Sequence, residues 1–282
     1  MTDDITPRVD FQTELSGLFR LDGKVVFIPG GYGGIGEAIA WGAAMAGARV
    51  VVAGRDESKA AALASALKEA GFECEGMRMD CMSVADIRAS VDEAAKRHGR
   101  LDVLINCVGI QREEPLTEVT EEAFDEVYAA NLKAAMFLAQ AVARHQIAAG
   151  HGGRHVHLLS VRSTLGLRAR GYSAYCATKG GLVMLIKQHA MELAPHQITV
   201  NGIAPTFVYT EMIRHVMEND EFRRGLLDRI PLGRIAEPKD IVGPGAFFRL
   251  ARIRFRDRTE HARRWRNYSN VNSLSQDFRL IS

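Results

Sequence analysis

The segment Lys24-Val-Val-Phe-Ile-Pro-Gly-Gly-Tyr-Gly-Gly-Ile-Gly36 joins a short apolar run to a glycine-rich loop, and an alanine-rich stretch follows it to residue 46. The apolar run predicts a buried strand, and the alanine-rich stretch predicts a helix. Glycines at this junction permit a tight turn and let the backbone approach a pyrophosphate at the helix N-terminus. Two glycine spacings are present: Gly31, Gly33 and Gly36, and Gly30, Gly34 and Gly36. The segment therefore predicts a strand–loop–helix unit that binds a dinucleotide.

Outward from this unit, short apolar runs alternate with longer helical stretches. The apolar runs cover 49–53, 76–79, 103–106, 155–159 and 198–203, and the helical stretches cover 57–70, 83–97, 120–149 and 173–193. Such alternation indicates right-handed βαβ units. The predicted fold class is α/β, a single doubly wound parallel sheet of Rossmann type with helices on both faces. We expect it to span residues 21–248, after an N-terminal extension, 1–20, and before an arginine-rich tail, 249–282.

Composition and charge narrow the class of protein. Among 282 residues no apolar run approaches the roughly 20 residues that span a bilayer, and the first ten residues lack the apolar stretch of a signal peptide, which predicts a cytoplasmic protein. The four cysteines have no metal-ligand spacing, so neither a metal site nor a disulfide is predicted. Nine arginines against three acids give the tail +6, which leaves −4 on the remainder. The body of the chain is therefore not expected to bind nucleic acid.

The end of the second predicted strand bears on the choice of cofactor. An acidic residue there would accept a hydrogen bond from a ribose 2′-hydroxyl and favour NAD. Gly54 takes that place, and Arg55 follows with a guanidinium that can pair with a 2′-phosphate. Asp56 is expected to cap the next helix. The sequence therefore favours NADP, with NAD as the alternative.

Polar residues also follow the other strands. Asp80 comes after the third strand and is either an adenine contact or a turn residue, and Asn106 and Gly109 form a turn after the fourth. Asn131 lies inside a helical stretch although asparagine is a poor helix former, so it marks either a surface position or a water-binding helix distortion. Ser160 ends the fifth strand. Strand ends of a parallel sheet point towards the ligand crevice.

Tyr175 and Lys179 are spaced to share one face of a helix. An ammonium beside a phenol favours the phenolate and lowers a pKa that is normally about 10. A tyrosine tuned in this way transfers protons near neutral pH. Tyr172 does not fit this pattern, because Cys176 lies four residues after it.

These features occur in the order typical of the short-chain dehydrogenases/reductases, and the chain resembles that family from about residue 21 to residue 249. The resemblance rests on the glycine loop, Asn106-x-x-Gly109, Asn131, Ser160, Tyr175-x-x-x-Lys179, the segment 200–205 and Thr210. It implies that Tyr175 is the general acid/base and that Lys179 binds the nicotinamide ribose and lowers the tyrosine pKa. It also implies that Ser160 hydrogen-bonds the substrate carbonyl and that Asn131 holds a water of the proton relay. The implied cofactor contacts are Gly30, Tyr32, Gly34, Ile35, Gly36, Arg55, Asp80, Asn106, Gly109, Tyr175, Lys179 and Thr210.

The resemblance further implies hydride transfer between a nicotinamide cofactor and a small-molecule alcohol or carbonyl substrate. Sugar acids, polyols and 3-oxoacyl thioesters remain open as substrates, and a homodimer or homotetramer is expected. The alternative is a cofactor-binding protein with little or no turnover, because the C-terminus departs from the family pattern.

Several departures from the family pattern lie near the predicted site. Pro29 replaces a threonine and so lacks a hydroxyl and an N–H, and Cys107 and Val108 replace the middle of Asn-Asn-Ala-Gly. Thr206 stands where a glycine is usual, which reduces the conformational freedom of that turn. None of these changes removes a residue with an implied catalytic role.

Two further assignments are left open by the sequence. Ser163 is a second candidate for the serine role, although Ser160 is preferred because it directly ends the apolar strand. The segment 206–234 is the expected substrate lid. Its arginines either select an acidic or polyhydroxy substrate or form a solvated helix face, which we favour. They are Arg214, Arg223, Arg224 and Arg229.

The tail has no counterpart of the family ending, Thr-Gly-Gln followed by Val-Asp-Gly-Gly, so the last strand is predicted to be missing. We hypothesise a frameshift, since permitted codons read one nucleotide later from Phe248 can give SGSPASDFVTGQNMLVDGGIT. This change is expected to weaken stability and oligomerisation. The competing hypothesis is a genuine arginine-rich appendage that binds nucleic acid or an acidic partner.

Overall fold

Six parallel strands form a single sheet in the computed structural model, which describes residues 19–247 except 169, 212, 215–217, 219 and 229. The strands are β1 Val25–Pro29, β2 Arg49–Gly54, β3 Cys74–Arg78, β4 Val103–Asn106, β5 Gly153–Leu158 and β6 Ile198–Ile203. Their order across the sheet is β3-β2-β1-β4-β5-β6. The predicted parallel sheet is confirmed. The predicted tail and nearly all of the predicted N-terminal extension lie outside the described residues.

Helices connect the strands at the predicted places, and two further helices, which were not among the predicted helical stretches, follow β6 in the described part of the chain. They are α1 Gly34–Met45, α2 Glu57–Glu69, α3 Val84–His98, α4 Glu121–Tyr128, α5 Ala134–Ala149, α6 Ser173–Leu193, α7 Asp220–Leu227 and α8 Pro238–Phe247. A five-residue π-helix, Ala129–Lys133, joins α4 to α5. The predicted helical stretch 120–149 is therefore interrupted. No described helix is both long and apolar enough to cross a membrane.

Two apolar layers cover the sheet, one on each face. Along β1, Val26 and Ile28 pack against α1 and α2, whereas Val25 and Phe27 face α3 and α5. Helix α6 covers β5 and β6 in a third cluster that includes Leu182. This alternation of side chains about a strand is what places helices on both faces, as the doubly wound prediction requires.

The strand order reverses between β1 and its neighbour β4. In such sheets the loops leaving the two central strands diverge to opposite faces and leave a crevice at their carboxyl ends. The glycine loop follows β1 and the Asn106 turn follows β4, so both border this crevice. The fold therefore gathers the predicted site residues along one edge of the sheet.

Candidate active site

The glycine loop after β1 is packed too closely for most of its glycines to carry a side chain. Gly30 has a φ of +72°, and a Cβ there would lie 2.9 Å from the carbonyl carbon of Cys107. A Cβ on Gly36 would lie 2.5 Å from the Gly30 oxygen, whereas one on Gly33 would meet that oxygen at an ordinary 3.6 Å. The Gly30, Gly34, Gly36 spacing thus describes the loop better than the spacing through Gly33. Such a cradle fits a backbone-bound phosphate group.

The turn after β4 supports the glycine loop. The Cys107 N–H donates to the Pro29 oxygen at 2.9 Å, and the Asn106 side chain accepts from the Val108 N–H at 3.0 Å. The Asn106 amide nitrogen also lies 3.3 Å from Nδ1 of the buried His157. Asn106 therefore acts here as a brace for the turn.

At the end of β2, an aromatic ring takes the place in which a strand-end acid was considered. A Cβ on Gly54 would lie 2.3 Å from Cε1 of Tyr32. The Tyr32 hydroxyl accepts from the Asp56 N–H at 3.1 Å. The Asp56 carboxylate turns to α2, where it accepts from the Lys59 N–H at 3.1 Å, so the predicted helix cap is confirmed. Arg55 is exposed beside this arrangement.

Asp80 is engaged in a local turn after β3. Its side chain accepts from the Met82 N–H at 3.0 Å, and its own N–H donates to Asp86 at 2.6 Å. These contacts give Asp80 the turn role that the sequence left open. Across the crevice, a Cβ on Gly34 would meet the Thr210 side chain at 2.7 Å, which brings Thr210 onto the glycine loop.

Asn131 lies in the π-helix and is fully buried. Its side-chain oxygen accepts from the Ile110 N–H at 2.8 Å, and its amide donates to the Ile110 oxygen at 2.9 Å and to the Thr178 hydroxyl at 3.2 Å. Of the two predicted alternatives, the helix distortion is the one found. The oxygen of Asn131 also lies 3.5 Å from the Cβ position of Gly109, which in turn lies 3.4 Å from Lys179 Nζ.

Ser160, Tyr175 and Lys179 converge at the carboxyl end of β5. The Ser160 side chain lies beside the Tyr175 phenol and acts to lower its pKa, and the Ser160 hydroxyl oxygen accepts from the Arg162 N–H at 3.1 Å. The Lys179 ammonium is buried, donates to the Leu158 oxygen at 2.7 Å and lies 5.7 Å from the centroid of the Tyr175 ring. Helix α6 therefore presents the phenol and the ammonium on one face, as their spacing predicted.

The pKa of Tyr175 corrects one expectation. Burial raises this pKa, and the neighbouring Ser160 side chain and the charge of Arg162 offset only part of the rise. Burial also lowers the Lys179 pKa to about 8. The predicted net lowering of the tyrosine pKa by Lys179 is thus not found, because loss of water around the phenol outweighs the nearby positive charge.

The surrounding side chains separate the candidates that the sequence left open. Ser163 donates its hydroxyl to the Ser160 carbonyl at 2.7 Å, so its hydroxyl is committed to the backbone. Tyr172 packs edge-on against Tyr175, with ring centroids 6.1 Å apart, and carries Arg170 over its own ring. This geometry favours Ser160 over Ser163 as the serine beside Tyr175.

The arginines of the expected lid are engaged at the surface. Arg214 forms an ion pair with Glu211, and Arg223 pairs with Asp220 at 2.6 Å, with all four side chains exposed. Arg224 donates to the backbone oxygen of Asp220 at 3.3 Å, and Arg229 lies outside the described residues. These contacts agree with a solvated helix face.

Two features of the site were not predicted from the sequence. One is the Tyr32 ring against Gly54, for which the only signal is an aromatic residue inside a glycine loop. The other is the pair of fully buried histidines, His155 and His157, which alternate with apolar residues on β5. Within the described part of the chain, no group of three or more His, Cys, Asp or Glu residues could hold a metal ion.

Comparison with known proteins places this geometry in a family. The short chain dehydrogenase family pattern matches residues 24–221. L-xylulose reductase of Bos taurus is 38% identical over 79% of this chain and 87% of its own length. The 5-keto-D-gluconate 5-reductase of Escherichia coli K12 is 33% identical over 83% of this chain and 91% of its own length. The crystal structure of a gluconate 5-dehydrogenase from Burkholderia cenocepacia J2315 in complex with NADP and tartrate superimposes with a TM-score of 0.79 at 37% identity. This superposition covers 82% of this chain and 90% of the Burkholderia chain.

Proposed function

This chain belongs to the short-chain dehydrogenase/reductase family, and on that premise we propose that it interconverts an alcohol and a carbonyl group with NADP as cofactor. The observation that carries the proposal is the convergence of Ser160, Tyr175 and Lys179 at the end of β5. A phenol that lies beside a serine hydroxyl and a buried ammonium can hold a proton beside a carbonyl oxygen.

In the proposed mechanism each side chain acts on one atom. The Ser160 hydroxyl orients the substrate carbonyl oxygen, and the Tyr175 hydroxyl donates a proton to that oxygen during reduction or accepts one during oxidation. Lys179 holds positive charge at the site and binds the cofactor ribose, while Asn131 fixes the backbone of Ile110 and holds a water of the relay. The bound nicotinamide supplies or accepts the hydride at the carbonyl carbon.

The residues that would hold the cofactor fit a phosphate-bearing dinucleotide. Backbone lies where a Cβ on Gly30 or Gly36 would stand, which leaves the loop free of side chains next to the helix N-terminus. Gly54 removes a strand-end acid and Arg55 is exposed beside it, so NADP is favoured over NAD. The similar Burkholderia protein was crystallised with NADP.

For the substrate, we propose a small sugar or sugar acid in preference to a 3-oxoacyl thioester. The relatives reported above are named for xylulose and for keto-gluconate. Such polyhydroxy substrates suit a crevice bordered by polar strand ends. The ion-paired arginines of the lid are not needed for this choice.

The proposal is tested by following NADPH consumption with 5-keto-D-gluconate and with L-xylulose as substrates. Reduction of at least one of them is expected, and Tyr175→Phe should lower kcat by about 10²-fold or more while cofactor binding persists. Tyr172→Phe is the matched control, because it removes a neighbouring phenol hydroxyl and should retain activity. Full activity of Tyr175→Phe would contradict the mechanism, and cofactor binding without turnover would favour a non-catalytic binding protein.

We also propose that the chain forms a homo-oligomer. Large apolar side chains are exposed on two neighbouring helices: Phe124 on α4, and Met184 and Met191 on α6. Large apolar side chains exposed on neighbouring helices are a feature of interaction sites. Light scattering at several protein concentrations should give a mass above 31.0 kDa.

A further inference from the structure

The ring of Tyr32 covers the end of β2 and, in this position, leaves no room for a side chain on residue 54. A Cβ on Gly54 would lie 2.3 Å from Cε1, 2.6 Å from the hydroxyl and 2.7 Å from Cζ of Tyr32. Gly54 is not among the described glycines with positive φ, so its backbone conformation would accept a side chain. A residue with a Cβ at position 54 would therefore displace the Tyr32 ring from its present position, whereas the turn itself would accept such a residue.

The Tyr32 hydroxyl uses its oxygen as an acceptor and keeps its proton available to donate to a ligand. Its oxygen accepts from the Asp56 N–H at 3.1 Å, which fixes the phenol in place, and its own proton has no acceptor in the part of the chain that the structure describes. The carboxylate of Asp56 is directed away, towards the Lys59 N–H at 3.1 Å. The strand end thus presents hydroxyl and guanidinium donors, the latter from Arg55, without a free carboxylate acceptor.

We propose that Tyr32 and Gly54 form a cofactor-selecting pair. In this pair the ring fills the space of a strand-end acid, and the hydroxyl donates a hydrogen bond to the 2′-phosphate beside Arg55. The inference rests on the proposed function for the presence of a nicotinamide dinucleotide. It goes beyond it by assigning the choice between the two dinucleotides to a residue of the glycine loop.

Tyr32 and Gly54 both distinguish NADP from NAD through hydrogen bonding at the 2′ position of the ribose. A 2′-phosphate is an acceptor of high charge, and hydrogen bonds from a hydroxyl and a guanidinium to such a group are the strong, charge-assisted kind. A ribose 2′-hydroxyl needs an acceptor for its proton, and the carboxylate that would supply it at this strand end is excluded by the ring. NADP gains a contact, and NAD is left with an unpaired donor.

The hydroxyl is tested by Tyr32→Phe, which keeps the ring and so keeps the loop packed. Binding is measured by the fluorescence of NADPH and of NADH on titration with the full-length protein, without substrate. We expect the Kd for NADPH to rise about tenfold, the scale of one lost hydrogen bond to a charged group, while the Kd for NADH stays unchanged. Tyr128→Phe, an exposed phenol on α4, is the control and should change neither. An unchanged ratio of the two affinities in Tyr32→Phe would overturn the role of the hydroxyl.

The steric role of the Tyr32 ring is tested by placing an aspartate at position 54, once with the ring present and once with the ring removed. Gly54→Asp alone should weaken both cofactors, because its Cβ would overlap the Tyr32 ring. Combined with Tyr32→Ser, Gly54→Asp should bind NADH at least tenfold more tightly than the single variant does and should bind NADPH poorly. Equal NADH binding by the single and the double variant would overturn the steric half of the proposal.

These measurements separate the inference from the proposed function. Cofactor titration needs no sugar substrate, so a protein that reduces neither test sugar can still show or lack the predicted change in cofactor ratio. Conversely, turnover with an unchanged cofactor ratio in all Tyr32 variants would leave the reductase proposal intact and remove the selecting pair.

Discussion

Tyr175 shows what residue spacing can and cannot predict. The spacing of Tyr175 and Lys179 predicts that the two side chains share a helix face, and they do. It does not predict the sign of the tyrosine pKa shift, because that sign depends on burial by residues distant in sequence. Burial dominates here, and Ser160 is the strongest group opposing it.

This balance predicts a shift in pH dependence when Ser160 is changed to alanine. Ser160→Ala removes the side chain that lowers the Tyr175 pKa, so that pKa should rise further. In the proposed mechanism, alcohol oxidation requires the deprotonated phenol and increases as pH rises towards its pKa. The rising limb of the kcat profile should therefore move to higher pH, and kcat at neutral pH should fall by about 10²-fold or more. An unchanged limb position would show that Ser160 does not tune the tyrosine. Ser163→Ala, whose hydroxyl bonds to the backbone, should leave the limb in place.

At the scale of elements, the glycines of the glycine loop differ in how much space each has for a side chain. Gly36→Ala would place a Cβ 2.5 Å from the Gly30 oxygen, and the backbone must shift to relieve this overlap. Gly33→Ala would place its Cβ at an ordinary 3.6 Å from the same oxygen. We expect Gly36→Ala to abolish NADPH binding and Gly33→Ala to bind within a few-fold of the parent protein, as measured by fluorescence titration. Similar losses in both variants would contradict the assignment of the Gly30, Gly34, Gly36 spacing.

The π-helix yields a prediction about stability. Asn131→Ala would leave both backbone groups of Ile110 and the Thr178 hydroxyl without their present partner. Losing such pairs in a partly buried site should reduce the free energy of unfolding by about 2–4 kcal/mol, measured in urea. Gln188→Ala removes an exposed hydrogen bond to Glu192 and should change it by less than about 0.5 kcal/mol. A loss as small in Asn131→Ala would mean that Asn131 does not hold the Ile110 segment.

The order of strands and helices was predictable because a run of apolar residues indicates by itself that its segment is buried. Strand β1 and helix α1 follow directly from the residues between Lys24 and Met45. The π-helix was not predicted as such, since only the poor helix former Asn131 marked it. The contact between Tyr32 and Gly54 was not predicted, because the two residues lie far apart in the sequence. A sequence pattern does not indicate which distant side chain packs against a given glycine.

For the whole molecule, the buried histidines of β5 set a limit on acid stability. Burial lowers the pKa of His155 to about 3 and that of His157 well below its usual range. In the unfolded chain both would titrate near 6.5, so the unfolded state binds more protons as the pH falls. Their contribution to stability is full above pH 6.5 and is lost progressively as the pH falls from there towards 3.

We therefore expect the free energy of unfolding to fall below pH 6.5 by about 1.4 kcal/mol per pH unit for each buried histidine, and the melting temperature to fall with it. His157→Gln should flatten this dependence, because glutamine stays neutral and can still meet Asn106. His196→Gln, at an exposed position, is the control and should preserve the slope. The measurement is thermal unfolding from pH 8 to pH 4.5. Equal slopes for the parent protein and His157→Gln would exclude the buried histidine as the cause.

The free edge of the sheet leads to the last prediction. Among the described residues β6 pairs only with β5, so its outer backbone groups have no strand partner there. An unpaired edge both forfeits hydrogen bonds and invites pairing with other chains. The frameshift hypothesis, which concerns residues outside the described part, supplies a missing strand sequence for this edge. Replacing the chain from Phe248 onward with SGSPASDFVTGQNMLVDGGIT should raise the melting temperature by several degrees and favour a discrete oligomer. The control replaces the same segment with a scrambled order of those residues. If both replacements give the same melting temperature and the same mass by light scattering, the added strand is not what the sheet lacks.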